Sequence, residues 1–174
     1  MLLSTTELNR EETALVLAAQ AGDRAAFGAI YQKFARIAHG ILLAHVRFSE
    51  AEDLMQDVFL RAMQQLPSLR EPSAFGGWLA SIARRAAFDH HRRPQPIDAP
   101  LERIAGGDRP DSEAFEVMDI IRSLPESYRE TLVLRLVEGM TGPEIAARTG
   151  LTPDSVRVNL CRGMKMLRER LGER

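Results

Sequence analysis

The stretch TGPEIAARTGLTPDSVRVNLCRGMKMLRERL, residues 141–171, decides how the rest of the chain reads. Thr141 and Glu144 form a capping box, in which the hydroxyl takes a free backbone N–H of the first turn and the carboxylate reaches back to the capping residue. Gly150 supplies the turn that ends this short helix. Thr152 as N-cap and Pro153 at the first helical position then open a longer helix. Two helices joined by a short glycine turn make a helix-turn-helix. At about 100° per residue, Val156, Leu160, Met164, Leu167 and Leu171 fall on one arc of the second helix. Arg157, Arg162, Lys165 and Arg168 fall on another. Residues 155–170 carry five basic groups and one acidic, a local +4. Such a face suits a recognition helix in a DNA major groove. The charges alone fit a solvated basic face equally well, and the cap, turn and proline spacing favours DNA.

Upstream, Phe115, Met118, Ile121 and Leu124 mark a helix, and Ser123 with Glu126 predicts a cap for another carrying Leu132, Leu136 and Val137. Before these lies a segment with Pro94, Pro96, Pro100, Pro110 and Gly106-Gly107, which resists helix and buries no core. It reads as a flexible linker over 94–112, able to span nearly ~60 Å if extended. The first 93 residues are again helical, without period-2 strands. A lead-in helix covers Glu12 to Ala21. Asp23 caps a long core helix with Phe27, Ile30, Tyr31, Phe34, Ile37, Ala38 and Ile41. Ser49 and Glu52 predict a capping box before Leu54, Met55, Val58, Phe59, Ala62 and Leu66, and Pro67 stops that run. A third helix from Ser73 to Pro94 buries Trp78, Leu79, Ile82 and Ala86. The expected fold is all-α: a helical bundle over 1–93, the linker, and a helix-turn-helix domain over 113–174.

Composition bounds the function. The 174 residues hold 23 basic and 24 acidic side chains, a net −1, with 45% apolar and 27% charged residues, which describes a globular chain and not a bulk-basic DNA binder. By segment the balance is +1 over 1–93, −4 over 94–116 and +2 over 117–174. The single cysteine, Cys161, excludes an intrachain disulfide and a multi-thiolate zinc site, and reads as a small filler beside the basic arc in preference to a redox sensor. MLLSTTELNREE has no basic leader and the longest apolar run, Ala14 to Ala19, is six residues, so a soluble, cytoplasmic protein without membrane insertion is expected. No phosphate loop, HExxH or Cys/His set at ligand spacing is present, so no enzyme, cofactor or metal is expected. His39 and His45, six apart on different helix faces, read as structural or solvent-facing.

The order of parts is familiar. AEDLMQDVFLRA (51–62) and FGGWLASIARRAAFDHHRR (75–93), followed after the linker by SLPESYRETLVLRLVEGMTGPEIAARTGLTPDSVRVNLCRGMKMLRERL (123–171), resemble the extracytoplasmic-function (group 4) sigma factors of bacterial RNA polymerase, within the sigma-70 family. The likeness covers almost everything outside the linker and the first dozen residues. It implies a sigma-2 domain that binds the polymerase clamp and the minus-10 element, and a sigma-4 domain that reads the minus-35 element. Its implied partners are RNA polymerase core, through the largest-subunit clamp and the beta subunit, promoter DNA, and an anti-sigma factor that masks these surfaces.

Candidate residues follow. Glu50, Glu52, Asp53 and Asp57 set four acids and no base within eight positions. Asp53, Gln56, Asp57 and Leu60 recur at helical spacing off the main apolar stripe. That face suits a protein partner, although an ordinary exposed face with Phe59 buried would look the same. The resemblance implies core-polymerase binding at Asp53, Gln56, Asp57 and Phe59. RRAAFDHHRR (84–93) carries four arginines and two histidines against one aspartate, near Phe75, Trp78 and Phe88, as a melted strand requires. The resemblance assigns minus-10 recognition to this helix and to the loop Pro67 to Gly77, where a base would be flipped out. Arg84, Arg85, His90, His91, Arg92 and Arg93 are the candidate contacts, with Trp78 either base-facing or core. For minus-35 DNA they are Arg157, Asn159, Arg162, Lys165 and Arg168. The family often has asparagine where Arg85 stands and serine-arginine where Val158-Asn159 stands, so base preferences do not transfer. Asn159 lies between the two arcs, suited to reading adenine or to packing.

Two other classes compete. One is a helix-turn-helix regulator of response-regulator type, which would need a receiver of alternating strands and helices. The other is an adaptor for polymerase or an anti-sigma protein without DNA contact. The sequence itself generates one prediction: with about four phosphate contacts, a fourfold rise in salt should weaken DNA binding by the helix-turn-helix roughly 150-fold. A salt-independent interaction, measured by fluorescence anisotropy, would exclude the DNA reading.

Overall fold

The structure, a computed structural model, describes residues 5–92 and 111–172. Eight α-helices account for most of these: α1 (Thr5–Gln20), α2 (Arg24–Leu43), α3 (Phe48–Gln65), α4 (Phe75–Arg92), α5 (Asp111–Ser123), α6 (Glu126–Leu136), α7 (Gly142–Thr149) and α8 (Pro153–Gly172). Two 3-10 turns, Leu66–Ser68 and Pro72–Ala74, connect α3 to α4. There is no strand among the described residues. The linker expected over 94–112 lies outside the described residues up to 110, and its last two positions already belong to α5.

Most helix ends follow from local chemistry. Asp23 accepts from Ala25 N at 2.8 Å and Ala26 N at 3.1 Å, holding α2's first turn. Two expected caps differ. α3 begins at Phe48, with Glu50 accepting from Arg47 N at 2.8 Å, so the carboxylate that reaches back is Glu50 and Ser49 is already inside the helix. α6 starts at Glu126 behind Pro125, whose ring fixes φ at −54°, while Ser123 Oγ bonds back to Ile120 O at 2.6 Å and closes α5. The Pro67 stop holds, since α3 ends at Gln65 and the chain tightens into a 3-10 turn.

α2 is the axis of the first half. Ile30, Phe34, Ile37 and Ile41 are all buried at three- and four-residue spacing, against α1, α3 and α4. Phe34 and Phe75 meet edge to face at 4.9 Å. On α4 the buried face is Phe75, Leu79, Ala83 and Ala86, with Trp78 and Ile82 only half-buried, so the expected stripe is rotated by part of a turn. Gln20 donates to Leu66 O at 3.0 Å and Leu69 O at 2.8 Å, tying the loop before α4 to α1.

The two halves do not stand apart. One continuous apolar cluster includes Phe34, Ile37 and Ile41 of α2 together with Leu132, Leu134 and Ile145 of α6 and α7. Glycines permit the approach. A Cβ at Gly40 would sit 2.7 Å from Leu134 Cδ2, and one at Gly76 would overlap the Arg148 carbonyl. Within the second half, Gly163 lets α8 lie on α6, where a Cβ would come 3.0 Å from Leu132 Cδ1 and 3.2 Å from Tyr128 Cβ. A β-branched side chain has no room there. Gly163→Val should therefore cost about 1–3 kcal/mol of stability, read as a lower denaturant midpoint; an unchanged midpoint would show that α6 and α8 separate freely.

Candidate nucleic-acid interface

α7 and α8 make the helix-turn-helix. Thr141 N donates to Glu144 Oε2 at 2.7 Å, Glu144 N donates to Thr141 Oγ1 at 3.4 Å, and the capping box is complete. Gly150 takes φ +77°, the left-handed conformation that glycine adopts without a Cβ clash. Ser155 N donates to Thr152 Oγ1 at 3.1 Å, opening α8. Val156 and Leu167 are buried, Leu160 and Met164 half-buried and Leu171 exposed. Arg157, Arg162, Lys165 and Arg168 are all exposed. Their ion pairs, Arg157 with Asp154 at 3.5 Å and Lys165 with Glu169 at 3.8 Å, lie between side chains more than half exposed, where a pair holds by a fraction of a kcal/mol. Nothing strong has to be broken before these cations meet an anion. Asn159 is half-buried at the margin of this stripe, and Cys161 is exposed.

α4 is divided. Arg85 and Arg92 are exposed, and Arg93 lies outside the described residues. His91 Nε2 sits 2.9 Å from His45 O and therefore donates to it. His90 Nε2 lies 3.3 Å from Glu50 Oε1. Burial alone would raise the Glu50 carboxyl, but the hydrogen bond from the Arg47 backbone N–H and the nearness of His90 hold it below its ordinary value. Trp78 is half-buried against Phe75 at 5.6 Å between centroids, with its remaining surface open. Arg84 is the exception, because it turns inward. Its Nε and Nη2 each donate to a Glu130 oxygen at 2.7 Å, a bidentate pair across the two halves. His45 Nε2 lies 3.0 Å from Glu130 Oε1 and donates, since a carboxylate only accepts.

On α3, Asp53 and Gln56 are exposed and Asp57 is half-exposed. Phe59 is 5% exposed and stacks on Tyr31 at 4.5 Å, so it supports this face from beneath. Leu60 and Met63, each 50% exposed, extend the face with apolar surface. The recurrence at 53, 56, 57 and 60 already points to Leu60; Met63, three residues on, is its missed continuation.

The sequence also passes over Glu130. It stands in ETLVLRL with no motif around it, and its only signal is an acid just ahead of the apolar run Leu132 to Leu134. His45, expected to be structural or solvent-facing, is buried beside it, and His39 Nδ1 meets Glu138 Oε1 at 2.8 Å across the same seam. His45, Glu126 and Glu130 bring three metal-ligand atoms within 4.8 Å of one another, a juxtaposition that linear spacing does not reveal. Both Glu130 oxygens, however, are already engaged by Arg84.

Comparison with known proteins matches both halves of the chain. A family model described as Sigma-70 region 2 matches residues 30–96, and one described as Sigma-70, region 4 matches 114–167. The chain is 33% identical over 161 residues to RNA polymerase sigma factor CarQ of Myxococcus xanthus, covering 87% of this chain and 92% of that protein. It is 31% identical over 175 residues to ECF RNA polymerase sigma factor SigD of Mycobacterium tuberculosis, covering 91% and 82%. With ECF RNA polymerase sigma-E factor of Haemophilus influenzae it shares 27% over 179 residues, covering 92% and 95%. Among solved structures, CnrH in complex with the cytosolic domain of CnrY aligns with a TM-score of 0.65 at 24% identity over 93% of this chain and 97% of that one, a likeness of fold.

The Glu130 cluster gives the seam a pH dependence. Burial would raise this carboxyl, but hydrogen bonds from His45 and Arg84, with their charges, outweigh it and hold the group below its ordinary 4.5. The Glu130 hydrogen bond raises Arg84 in turn, against burial. A carboxyl lowered in the folded state stabilises above its ordinary value, and that contribution disappears as pH falls through the lowered one. Energy transfer between dyes on the two halves should therefore hold from neutral pH down to about 4.5 and then fall. Transfer that stays unchanged below about 4.5 as well, or that falls identically in Glu130→Gln, would remove Glu130 as the cause.

Proposed function

The chain belongs to the extracytoplasmic-function branch of the sigma-70 family, and from that premise we propose how its surfaces divide the work of a factor that directs RNA polymerase core enzyme to specific promoters. Residues 1–93 take core polymerase and minus-10 DNA, 94–112 connect, and 113–174 take minus-35 DNA. The bounds of the two matched family regions support this division.

The observation that carries the reading is α8. It buries Val156 and Leu167 while Arg157, Arg162, Lys165 and Arg168 stay exposed behind a capped helix and a left-handed glycine turn. That arrangement suits a helix in the minus-35 major groove, with cations on phosphates and Asn159 near the base edges. The acidic face of α3, Asp53, Gln56 and Asp57 over buried Phe59 and extended by Leu60 and Met63, docks on the largest-subunit clamp. The beta subunit meets the second half. The end of α4, with Arg84, Arg85, His90, His91, Arg92 and Arg93, captures the opened minus-10 strand together with Trp78 and the loop Pro67 to Gly77. Base stacking and phosphate contacts stabilise the melted strand, and polymerase performs the nucleotide chemistry. The described helices contain no receiver-like strands, which disfavours a response regulator, and the free cationic face of α8 disfavours a pure adaptor. An anti-sigma factor controls access to these surfaces, and the site of action is the cytoplasm; among the described residues no helix is long and apolar enough to cross a membrane.

Added to sigma-free core polymerase with a promoter library, the chain should give initiation at specific sites. Asp53→Lys with Asp57→Lys should weaken association with core by roughly tenfold or more, because like charges then face a surface that complements acids. No specific initiation would reject the sigma reading. Initiation with core affinity unchanged in the double variant would reject only the α3 assignment.

A further inference from the structure

The two halves also enclose a cavity that lies outside the residues assigned to DNA and to polymerase. It measures about 410 Å³ and sits between the end of α2, the start of α3, α5 and the end of α6. Leu43 and Phe48 line it from the first half, and Phe115, Met118, Arg122 and Val137 from the second. Phe48, Phe115 and Val137 each leave about half of their surface open, and a cluster of large exposed apolar side chains marks a place where something binds. The volume falls within the roughly 300–1,000 Å³ of small-ligand pockets, which are mostly apolar, carry a few placed polar groups and form preferentially where two units meet.

Arg122 is the one charged side chain in the cavity wall among the described residues. It is 20% exposed, whereas its partner Asp119 is 80% exposed, so water weakens the hold of that carboxylate on the cation. Nε donates to Leu43 O at 3.2 Å and Nη1 to Asp119 Oδ1 at 3.0 Å, and Nη2 has no acceptor among the described residues. A guanidinium held mainly out of water is therefore only partly compensated, in a wall that is otherwise apolar. We propose that the cavity binds a single-chain carboxylic acid, a medium-chain fatty acid in chemical class, with its carboxylate on Arg122 and its alkyl chain along Phe48, Phe115, Met118 and Val137. The two ends of such a ligand answer to different parts of the wall. Burial of the chain strengthens binding roughly fourfold per methylene. The carboxylate adds a charge-assisted contact of the kind that guanidinium makes through two parallel N–H groups, in surroundings that screen it less than water screens Asp119. Because both halves supply the wall, a bound acid also stabilises their packed arrangement by mass action.

The test titrates the full chain calorimetrically with decanoate, octanoate and decanol, each kept below its micelle concentration. Decanoate should saturate a single site. Octanoate, two methylenes shorter, should bind roughly fifteenfold more weakly, and decanol, which keeps the chain but lacks the charge, roughly tenfold more weakly. Arg122→Gln should lower the affinity for decanoate to that for decanol. Val137→Trp fills the cavity, leaves Arg122 in place and should abolish binding of both. Both variants should keep their helical circular dichroism, and decanoate should raise the thermal midpoint of the parent chain but not of Val137→Trp. Absence of saturable decanoate binding would overturn the proposal. So would equal affinities of the parent for decanoate and decanol, which would show an apolar groove without anion recognition. A concentration-dependent dimer in sedimentation that Phe115→Glu abolishes would overturn it as well, by giving this face to a second copy of the chain. Promoter-specific initiation does not enter any of these readouts, so the sigma reading stands or falls separately.

Discussion

A carboxylate nearly closed off from water needs hydrogen-bond donors and a compensating charge, and Glu130 finds both of its partners in the other half of the chain. Arg84 comes from α4 and His45 from the connection between α2 and α3. Removing either leaves a buried charge short of compensation, a situation that costs several kcal/mol in proteins generally. The rest of the seam is arranged around this point. Gly40 lets α6 lie against α2 so that Glu130 reaches His45, and Gly76 lets the end of α7 come down on the start of α4. Where the second half sits is thus set by one acid and two missing side chains together with the apolar cluster that runs across the seam.

Much of the fold was legible because it is punctuated locally. Asp23, Thr141 with Glu144, Gly150 and Thr152 with Pro153 each satisfy backbone groups within four residues of themselves, and all behave as read. Errors occur where two local solutions compete. Ser49 with Glu52 matches a capping box, but Glu50 reaches Arg47 N first; Ser123 with Glu126 matches another, but Pro125 sets the boundary. The α8 stripe could be read because a helix face depends on angle alone. Arg84 could not be assigned in the same way. By angle it belongs with Arg85 and Arg92 on a basic end, and only a contact 46 residues away, invisible to periodicity, turns it inward.

The near-zero net charge also takes on a structural meaning. The acids do not simply dilute the bases. Glu130 and Glu138 stand against Arg84, Arg36 and two histidines at the seam, and Glu50 stands beside His90, while the bases of α8 have only weak exposed partners. Neutralisation is thus spatially uneven: Arg84 is paired at the seam, whereas Arg85 and Arg92 on α4 and the bases of α8 stay exposed. A charge of −1 over the whole chain describes neither surface.

That unevenness bears on the order of events, given the proposed roles. A duplex presents phosphates without any need for melting, and the α8 cations are ready for it in the closed chain. A single strand exists only after opening, and of the groups assigned to it Arg84 is engaged by Glu130 while Arg85 and Arg92 stay exposed. Separating the halves exposes the apolar cluster shared by α2, α6 and α7 as well as the carboxylate–guanidinium pair, so a large partner that grips α3 and the second half at different points would have to meet that cost with its own binding energy. Docking and strand capture would then be coupled through the seam.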